Sequence, residues 1–330
     1  MIRLIQILSV FLLFTCRLAL AEEPTIIFYN YNQLPFEHCE KVLKQAKLFN
    51  PDTKILFIDS LKAQSKKLNE IKKMGIGFVP SESIRHSSLH KKYKRLKNGK
   101  FFVKEENKKD PLSKWFVLYD YIAHVNLKNV FFVDMDNLLY VHLKQHFAVF
   151  ENYYPHLAIP FENEEIASHS ILYIHSAESL GKLNQYLIQE AQNFSKSSKI
   201  FGQFKKEFGN ESVDLLPILP EDYTQENLLI SFDGNKPKER KDFSKNFSIF
   251  NSLFDSCAIG EYLSGYNLEV GFQEIGHVNN RSILNPYHFR FEFSKDEKGR
   301  KVPYMIHKGQ KIKINNLKIE SLKIDPFLSI

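Results

Sequence analysis

Val130-Phe131-Phe132-Val133-Asp134-Met135-Asp136-Asn137 joins four apolar residues to two carboxylates that stand one residue apart. The apolar run is β-branched and aromatic, which is typical of a buried strand. Side chains alternate along a strand, so Asp134 and Asp136 are predicted to project to the same side, where their oxygens can share one hard cation. The stretch therefore predicts a strand that ends in a site for a divalent metal, which could hold a diphosphate.

The amino-terminal half has the order strand, helix, strand. Thr25–Tyr29 and Lys54–Asp59 are predicted strands, and Phe36–Phe49 between them has the apolar spacing of a helix. Leu112–Val125 is predicted to be an amphipathic helix directly before the strand that ends at Asp134. Units of this kind place parallel strands in one sheet with helices packed on it, so the fold class is α/β.

The second half is less regular. Short strands are predicted within Pro155–Pro160 and Ser170–Ile174, and a helix is predicted at Ser176–Glu190. The pattern loosens between residues 201 and 243, and strict alternation after Tyr287 predicts a terminal antiparallel hairpin. We expect one α/β domain over residues 22–330, with an irregular and partly antiparallel carboxyl half.

The first 21 residues have the features of a secretory signal peptide. Met1–Arg3 is positively charged, Leu4–Phe14 is apolar, and Ala19-Leu20-Ala21 is a small-residue cleavage site. This predicts a protein of the secretory pathway that is secreted, periplasmic or resident in a Golgi-like lumen. The alternative is membrane association through an uncleaved amino-terminal segment, although the apolar core is shorter than the roughly 20 residues of a spanning helix.

Composition excludes several classes of protein. Of three cysteines, Cys39 and Cys257 remain after the signal peptide, which is too few for a disulfide scaffold or a cysteine-based zinc site. Whether these two pair is left open by the sequence. The formal net charge of +7 comes largely from lysine runs without the organisation of a nucleic-acid module. We therefore expect no nucleic acid among the partners.

A second candidate site lies in Phe254–Gly265. Asp255 precedes a predicted helix, and Asp is a preferred residue at a helix N-terminus, so capping is one interpretation. A carboxylate opposite the Asp134 strand end could instead accept a proton from an attacking hydroxyl. Both interpretations stand at the level of sequence.

Five segments, taken in order, resemble the glycosyltransferases of the A-type fold. They are Tyr29–Pro35, Gln45–Pro51, Lys114–Tyr121, Val133–Tyr140 and Phe254–Gly265. Together they span most of the chain that follows the signal peptide. The resemblance implies a single Rossmann-like domain with a mixed central sheet.

The resemblance also implies an activity and a set of site residues. A sugar would pass from a nucleotide-sugar donor to a glycan or glycoconjugate acceptor, with Mn²⁺ or Mg²⁺ as cofactor. Asp134 and Asp136 would hold the metal and the donor diphosphate, and Asp255 would be the catalytic base or acceptor anchor. The implied donor-binding residues are Tyr29, Asn30, Asp134, Asn137 and Lys318. One segment departs from the family, because Asn316–Leu322 stands where relatives often carry a histidine that helps to hold the metal.

Two alternatives remain at this level. The first is a non-catalytic glycan- or nucleotide-binding relative of the same fold, which the departure at Asn316–Leu322 favours. The second is a haloacid-dehalogenase-type phosphatase in which Asp134 is the nucleophile. Against the phosphatase, Leu138 stands two residues after the second Asp, where that class normally has Thr or Val.

Overall fold

The computed structural model describes residues 23–60, 65–98, 110–190, 199–226, 240–267, 271–272, 274–278 and 281–329. The predicted signal peptide lies outside these ranges. Among the described helices, none has both the length and the apolar character needed to cross a membrane. Cys39 and Cys257 are both buried and are not joined in a disulfide.

The part of the chain up to residue 190 contains both strands and helices. In order they are β1 (Thr25–Tyr29), α1 (Phe36–Phe49), β2 (Lys54–Asp59), α2 (Ser65–Lys73), β3 (Gly77–Pro80), α3 (Ser88–Asn98), α4 (Ser113–Val125), β4 (Val130–Val133), β5 (Asn137–Leu139), α5 (Phe147–Tyr153), β6 (Leu157–Ile159), β7 (Ile171–Ile174) and α6 (Ala177–Gln189). For the elements predicted above, the bounds agree with the prediction to within two residues.

The described residues of the second half form shorter elements and contribute to three smaller sheets. In order they are α7 (Ile200–Phe208), β8 (Val213–Leu215), α8 (Glu221–Glu226), α9 (Phe247–Phe250), β9 (Ser252–Leu253), α10 (Ala258–Ser264), β10 (Tyr266–Asn267), β11 (Gly271–Phe272), β12 (Arg290–Lys295), β13 (Lys301–His307), β14 (Gln310–Ile314) and β15 (Asn316–Lys318).

A seven-stranded sheet forms the centre, with the strand order β3-β2-β1-β4-β7-β6-β8. β1 pairs in parallel with β2 and β4, and β2 pairs in parallel with β3. β7 runs antiparallel to both β4 and β6, whereas β6 and β8 are parallel. The structure therefore confirms the predicted α/β fold with a mixed central sheet.

The central strands are buried on both faces because helices cover the sheet. All four residues of β4 and all four of β7 are buried, so their sequences are apolar throughout and do not alternate. Trp115 on α4 packs edge-on against Phe132 of β4, with 5.5 Å between the ring centroids. This packing fixes the amino-terminal turn of α4 close to the end of β4.

The carboxyl half is partly antiparallel, as predicted. β12, β13 and β14 form an antiparallel meander, and β14 continues in parallel pairing to β9. The chain then returns to the segment that follows β4, where β15 pairs antiparallel with β5 in a separate two-stranded sheet. This last pairing sets Lys318 opposite Asn137, next to the two carboxylates that follow β4.

One detail of the prediction was wrong. β4 ends at Val133, and Asp134 to Asp136 lie in a turn rather than on an extended strand. The turn is closed by the Asn137 N–H, which donates to the Asp134 carbonyl oxygen at 3.1 Å. Strand alternation is therefore not what brings the two carboxylates together.

Candidate functional site

The turn after β4 is held from two sides. The Asp134 N–H donates to the carbonyl oxygen of Ser170, just before β7, at 3.2 Å. The His38 ring on α1 donates from Nε2 to the Met135 carbonyl oxygen at 2.8 Å. Both contacts use backbone groups of the turn, so the carboxylates of Asp134 and Asp136 stay available for other partners.

Lys114 is the partner of Asp134. This lysine lies in the first turn of α4, and its ammonium donates to both carboxylate oxygens of Asp134, at 3.1 and 3.2 Å. It also donates to the Tyr31 hydroxyl at 3.2 Å. Burial raises the pKa of Asp134, and the ammonium groups of Lys114 and Lys318 oppose that rise.

Lys318 is the partner of Asp136. From β15, its ammonium donates to both oxygens of Asp136 at 3.1 Å, and it lies 3.7 Å from Asp134 Oδ2. Burial alone lowers the pKa of the Lys318 ammonium, but Asp136 and Asp134 outweigh it and raise that pKa well above its usual range. The ammonium therefore stays charged between the two carboxylates.

These side chains do not fit the predicted metal. Two ammonium groups balance the two carboxylates, and the ammonium of Lys318 already contacts both acids. Mg²⁺ and Mn²⁺ bind through oxygen ligands, and here all four carboxylate oxygens already accept from ammonium groups. Within the part of the chain that the structure describes, three metal-binding side chains come close together in two places, and neither group includes Asp134 or Asp136. The groups are His86, His90 and Asp120, and Cys257, Glu261 and Glu320.

Asp255 is almost fully buried, and backbone N–H groups occupy its carboxylate. Oδ1 accepts from the Ile259 N–H, and Oδ2 accepts from the N–H groups of Gly260 and Lys318, all at 3.0 Å. Burial raises the pKa of Asp255 to about 6, although these three N–H groups oppose the rise. The contacts join α10 to β15. The structure thus gives Asp255 a positioning role, and its role as a base stays a prediction.

The other residues predicted to bind the sugar donor have contacts within the protein. Asn30 ties the loop after β1, because its side chain accepts from the Leu34 N–H at 2.7 Å. Asn137 is buried and donates to the Ser170 carbonyl oxygen at 2.8 Å. The Tyr29 ring is half-buried and lies 6.0 Å from the Tyr31 ring. Donor binding by these residues remains a prediction, whereas Lys318 does lie beside the two carboxylates.

An acidic cluster borders the site, and sequence reasoning assigned it no role. Burial raises the pKa of Glu162 to about 8, and the neighbouring carboxylates of Glu261 and Glu320 add to that rise. The Cys257 thiol donates to Glu261 at 3.3 Å. Lys318 lies close enough to Glu162 to oppose the rise. Cys257 and Glu261 are four residues apart, but Glu162 and Glu320 come from distant parts of the chain, so no spacing in the sequence predicts the whole cluster.

Lys114 and Tyr31 were also missed as site residues. Both lie in segments that carry the family resemblance, but neither was given a role there. One signal could have identified Lys114, because it is a charged residue directly before Trp115 and Phe116 in a helix whose buried residues are mostly apolar. A buried lysine needs a carboxylate partner.

Comparison with known proteins was informative only for solved structures, since no family model and no curated protein matches the chain. Mouse xyloside xylosyltransferase 1 in its apo form has a TM-score of 0.44 and 10% identity, covering 66% of this chain and 94% of that chain. The glycosyltransferase GlyE of Streptococcus pneumoniae TIGR4 has a TM-score of 0.37 and 17% identity, over 64% of this chain and 48% of that chain.

A third structure is 4-diphosphocytidyl-2C-methyl-D-erythritol synthase from Anaerococcus prevotii. Its TM-score is 0.35 at 9% identity, over 67% of this chain and 95% of that chain. Solved glycosyltransferases are thus among the structures that this chain resembles, as the motifs predicted. All three TM-scores are below 0.5, so the function proposed below is inferred from the residues of the site.

Proposed function

We propose that this protein binds a nucleotide sugar at the turn after β4 and transfers the sugar to a glycan or glycoconjugate acceptor. The observation that carries the proposal is the arrangement of Lys114 and Lys318 around Asp134 and Asp136. It lies where the central parallel strands β1 and β4 end, and ligand sites in open α/β sheets lie at such carboxyl ends.

The chemistry of sugar transfer explains why cations are needed there. As the glycosidic bond of the donor breaks, negative charge grows on the departing nucleoside diphosphate. A fixed ammonium stabilises that charge more than it stabilises the intact donor, which lowers the barrier. In this proposal Lys318 contacts the diphosphate, and Asp136 holds the lysine in place.

The proposal has two further parts, which concern the location of the activity and the region that receives the acceptor. Residues 1–21 have the features of a signal peptide, so we place the activity in a secretory lumen, in the periplasm or outside the cell. Asp255 is the proposed anchor of the region that receives the acceptor, because it joins α10 to β15 beside Lys318.

A second candidate is a nucleotide- or glycan-binding protein of the same fold without turnover. The specific observation in its favour is that Asp255 already accepts three backbone N–H groups, which leaves its oxygens poorly placed to take a proton. The phosphatase interpretation is less favoured. Asp134 is almost fully buried and both its oxygens accept from Lys114, which leaves them poorly exposed to a phosphoester.

The first test is calorimetric titration of the purified protein with uridine, guanosine and cytidine diphosphates. It is followed by an assay for release of the nucleoside diphosphate from the matching nucleotide sugars. We expect one nucleotide to bind, and Lys318→Met to weaken its binding at least tenfold. The exposed Lys323→Met is the matched control and is expected to bind as the wild type does. Binding without turnover on any acceptor would favour the non-catalytic candidate, and failure of all three nucleotides to bind would contradict the donor site.

A further inference from the structure

Lys318 stands at the position that a cation shared by Asp134 and Asp136 would occupy. Its ammonium is 3.1 Å from both oxygens of Asp136 and 3.7 Å from Asp134 Oδ2. Lys114 contacts Asp134 but has no ion pair with Asp136 among the described contacts. Lys318 is therefore the cation that bridges the two acids.

The backbone of β15 holds Lys318 in this position. The N–H of the next residue, Ile319, donates to the Asp136 carbonyl oxygen at 2.7 Å. The Lys318 N–H donates to Asp255 Oδ2 at 3.0 Å. Pairing of β15 with β5 adds the register Lys318 to Asn137. The strand is thus fixed on both sides of the lysine, and the ammonium cannot leave the acids without a change in side-chain conformation.

The close packing of α10 against β15 also restrains this strand. A Cβ built on Gly260 would lie 1.9 Å from the Lys318 carbonyl oxygen, a distance that no side chain can occupy. Only glycine at position 260 lets the helix approach the strand this closely. A glycine, a buried carboxylate and a strand pairing therefore all fix the position of this one lysine.

A divalent ion would compete directly with this arrangement. It would need the oxygens of Asp134 and Asp136 that Lys318 now contacts, and it would be repelled by two ammonium groups at short range. Lys318 is buried at this position, and its backbone contacts hold it there.

We propose that Lys318 replaces the divalent cation at the Asp134–Asp136 pair, so that this site excludes Mn²⁺ and Mg²⁺ and recognises a nucleoside diphosphate through an ammonium group. The exclusion of metal stands on the geometry alone, whereas the recognition of a diphosphate rests on the proposed function. The prediction of a metal cofactor made from the motif is replaced, in this proposal, by a cation that the chain supplies itself.

The first test measures Mn²⁺ directly and needs no nucleotide. The electron paramagnetic resonance signal of free Mn²⁺ is followed during titration of the wild type, of Lys318→Ala and of Lys318→Ala/Asp136→Asn. We expect no Asp136-dependent site in the wild type, one new site in Lys318→Ala, and its loss in the double variant. Binding to other acidic groups is recognised because it persists in the double variant.

Two results would overturn the proposal. One is Mn²⁺ binding by the wild type that Asp136→Asn abolishes. The other is the absence of a new site in Lys318→Ala when its circular dichroism spectrum and unfolding transition show that it is folded.

The second test uses the wild-type protein alone, so it does not depend on the folding of a variant. Titration with the nucleoside diphosphate is done in EDTA and again in Mn²⁺. We expect the two dissociation constants to agree within about twofold, and a tenfold gain in Mn²⁺ would overturn the proposal. Absence of binding in both conditions would contradict the proposed function and the diphosphate part of this proposal, while the Mn²⁺ titration would still decide whether Lys318 excludes the metal.

Discussion

The two lysine–aspartate pairs of the site differ in their exposure to water. The side chains of Lys114 and Asp134 are 0% and 4% exposed, whereas those of Lys318 and Asp136 are 10% and 16% exposed. The first pair also contacts Tyr31 and Trp115, with the ammonium 4.4 and 4.7 Å from the two ring centroids.

The difference indicates a division of roles. An ion pair without access to water cannot exchange partners with a ligand, so Lys114 holds α4 against the end of β4. The second pair reaches the surface, where an incoming anion can compete for the ammonium of Lys318. Stability should therefore depend mainly on the first pair, and binding mainly on the second.

Removal of Lys114 should have the largest effect. Lys114→Met leaves the Asp134 carboxylate buried without its main partner, and we expect a loss of about 3–5 kcal/mol in the free energy of unfolding. Lys318→Met should cost less, because water reaches Asp136. Urea unfolding at neutral pH measures both.

The double variant Lys114→Met/Asp134→Asn provides the control. It removes the uncompensated charge, so it should recover part of the loss seen in Lys114→Met. Equal losses for Lys114→Met and Lys318→Met would show that the two pairs do not differ as proposed.

Substitution of Gly260 should disturb the second pair without changing any charge. The added methyl group of Gly260→Ala would meet the Lys318 carbonyl oxygen at 1.9 Å, so β15 must shift. We expect a loss of about 1–3 kcal/mol in stability and a clear weakening of nucleoside diphosphate binding.

Gly299→Ala is the matched substitution at a hairpin turn. Gly299 has φ +75°, and nothing lies within 4 Å of an added Cβ, so only backbone strain of about 1–2 kcal/mol is expected. Its nucleotide binding should equal that of the wild type. Unchanged binding in Gly260→Ala would mean that the position of β15 does not control the site.

Glu162, which belongs to the acidic cluster near Lys318, should make the free energy of unfolding depend on pH. Its pKa rises from an ordinary value of 4.5 to about 8 in the folded protein, so the folded state favours the protonated form. The contribution of Glu162 to stability is complete below pH 4.5 and is lost as the pH rises through 8.

Glu162→Gln should therefore be more stable than the wild type at pH 8.5, by about 1 kcal/mol or more, and the difference should vanish near pH 4.5. Unfolding midpoints in urea at several pH values between these limits give the comparison. A difference that does not change with pH would show that the pKa of Glu162 is the same in the folded and unfolded states.

The smallest effect is expected at an exposed ion pair, which extends the comparison to full solvent access. Lys41 and Asp325 approach to 2.6 Å, but their side chains are 42% and 66% exposed. Asp325→Asn should change the free energy of unfolding by about 0–1 kcal/mol. A loss as large as that of Lys114→Met would contradict the view that burial sets the importance of these pairs.

Much of the central sheet could be predicted from local pattern. The apolar runs of β1, β2, β4 and β7 are strong signals, because strands covered on both faces must be apolar throughout. The terminal hairpin of β12 and β13 could also be predicted, because apolar and polar residues alternate after Tyr287. The turn at Asp134 was not, because a buried strand and a tight turn after it have no periodicity that separates them.

Part of the candidate site could likewise be predicted from the sequence, and part could not. The sequence by itself determined the strands, the helices between them and the position of Asp134 and Asp136 after a central strand, because these depend on residues that are near neighbours in the chain. Only the tertiary structure decided that Lys318 bridges the two acids, since it lies 182 residues beyond Asp136 and arrives there through the pairing of β15 with β5. Contacts over such a distance depend on how whole elements pack, and this packing gave the acidic motif a lysine as its cation.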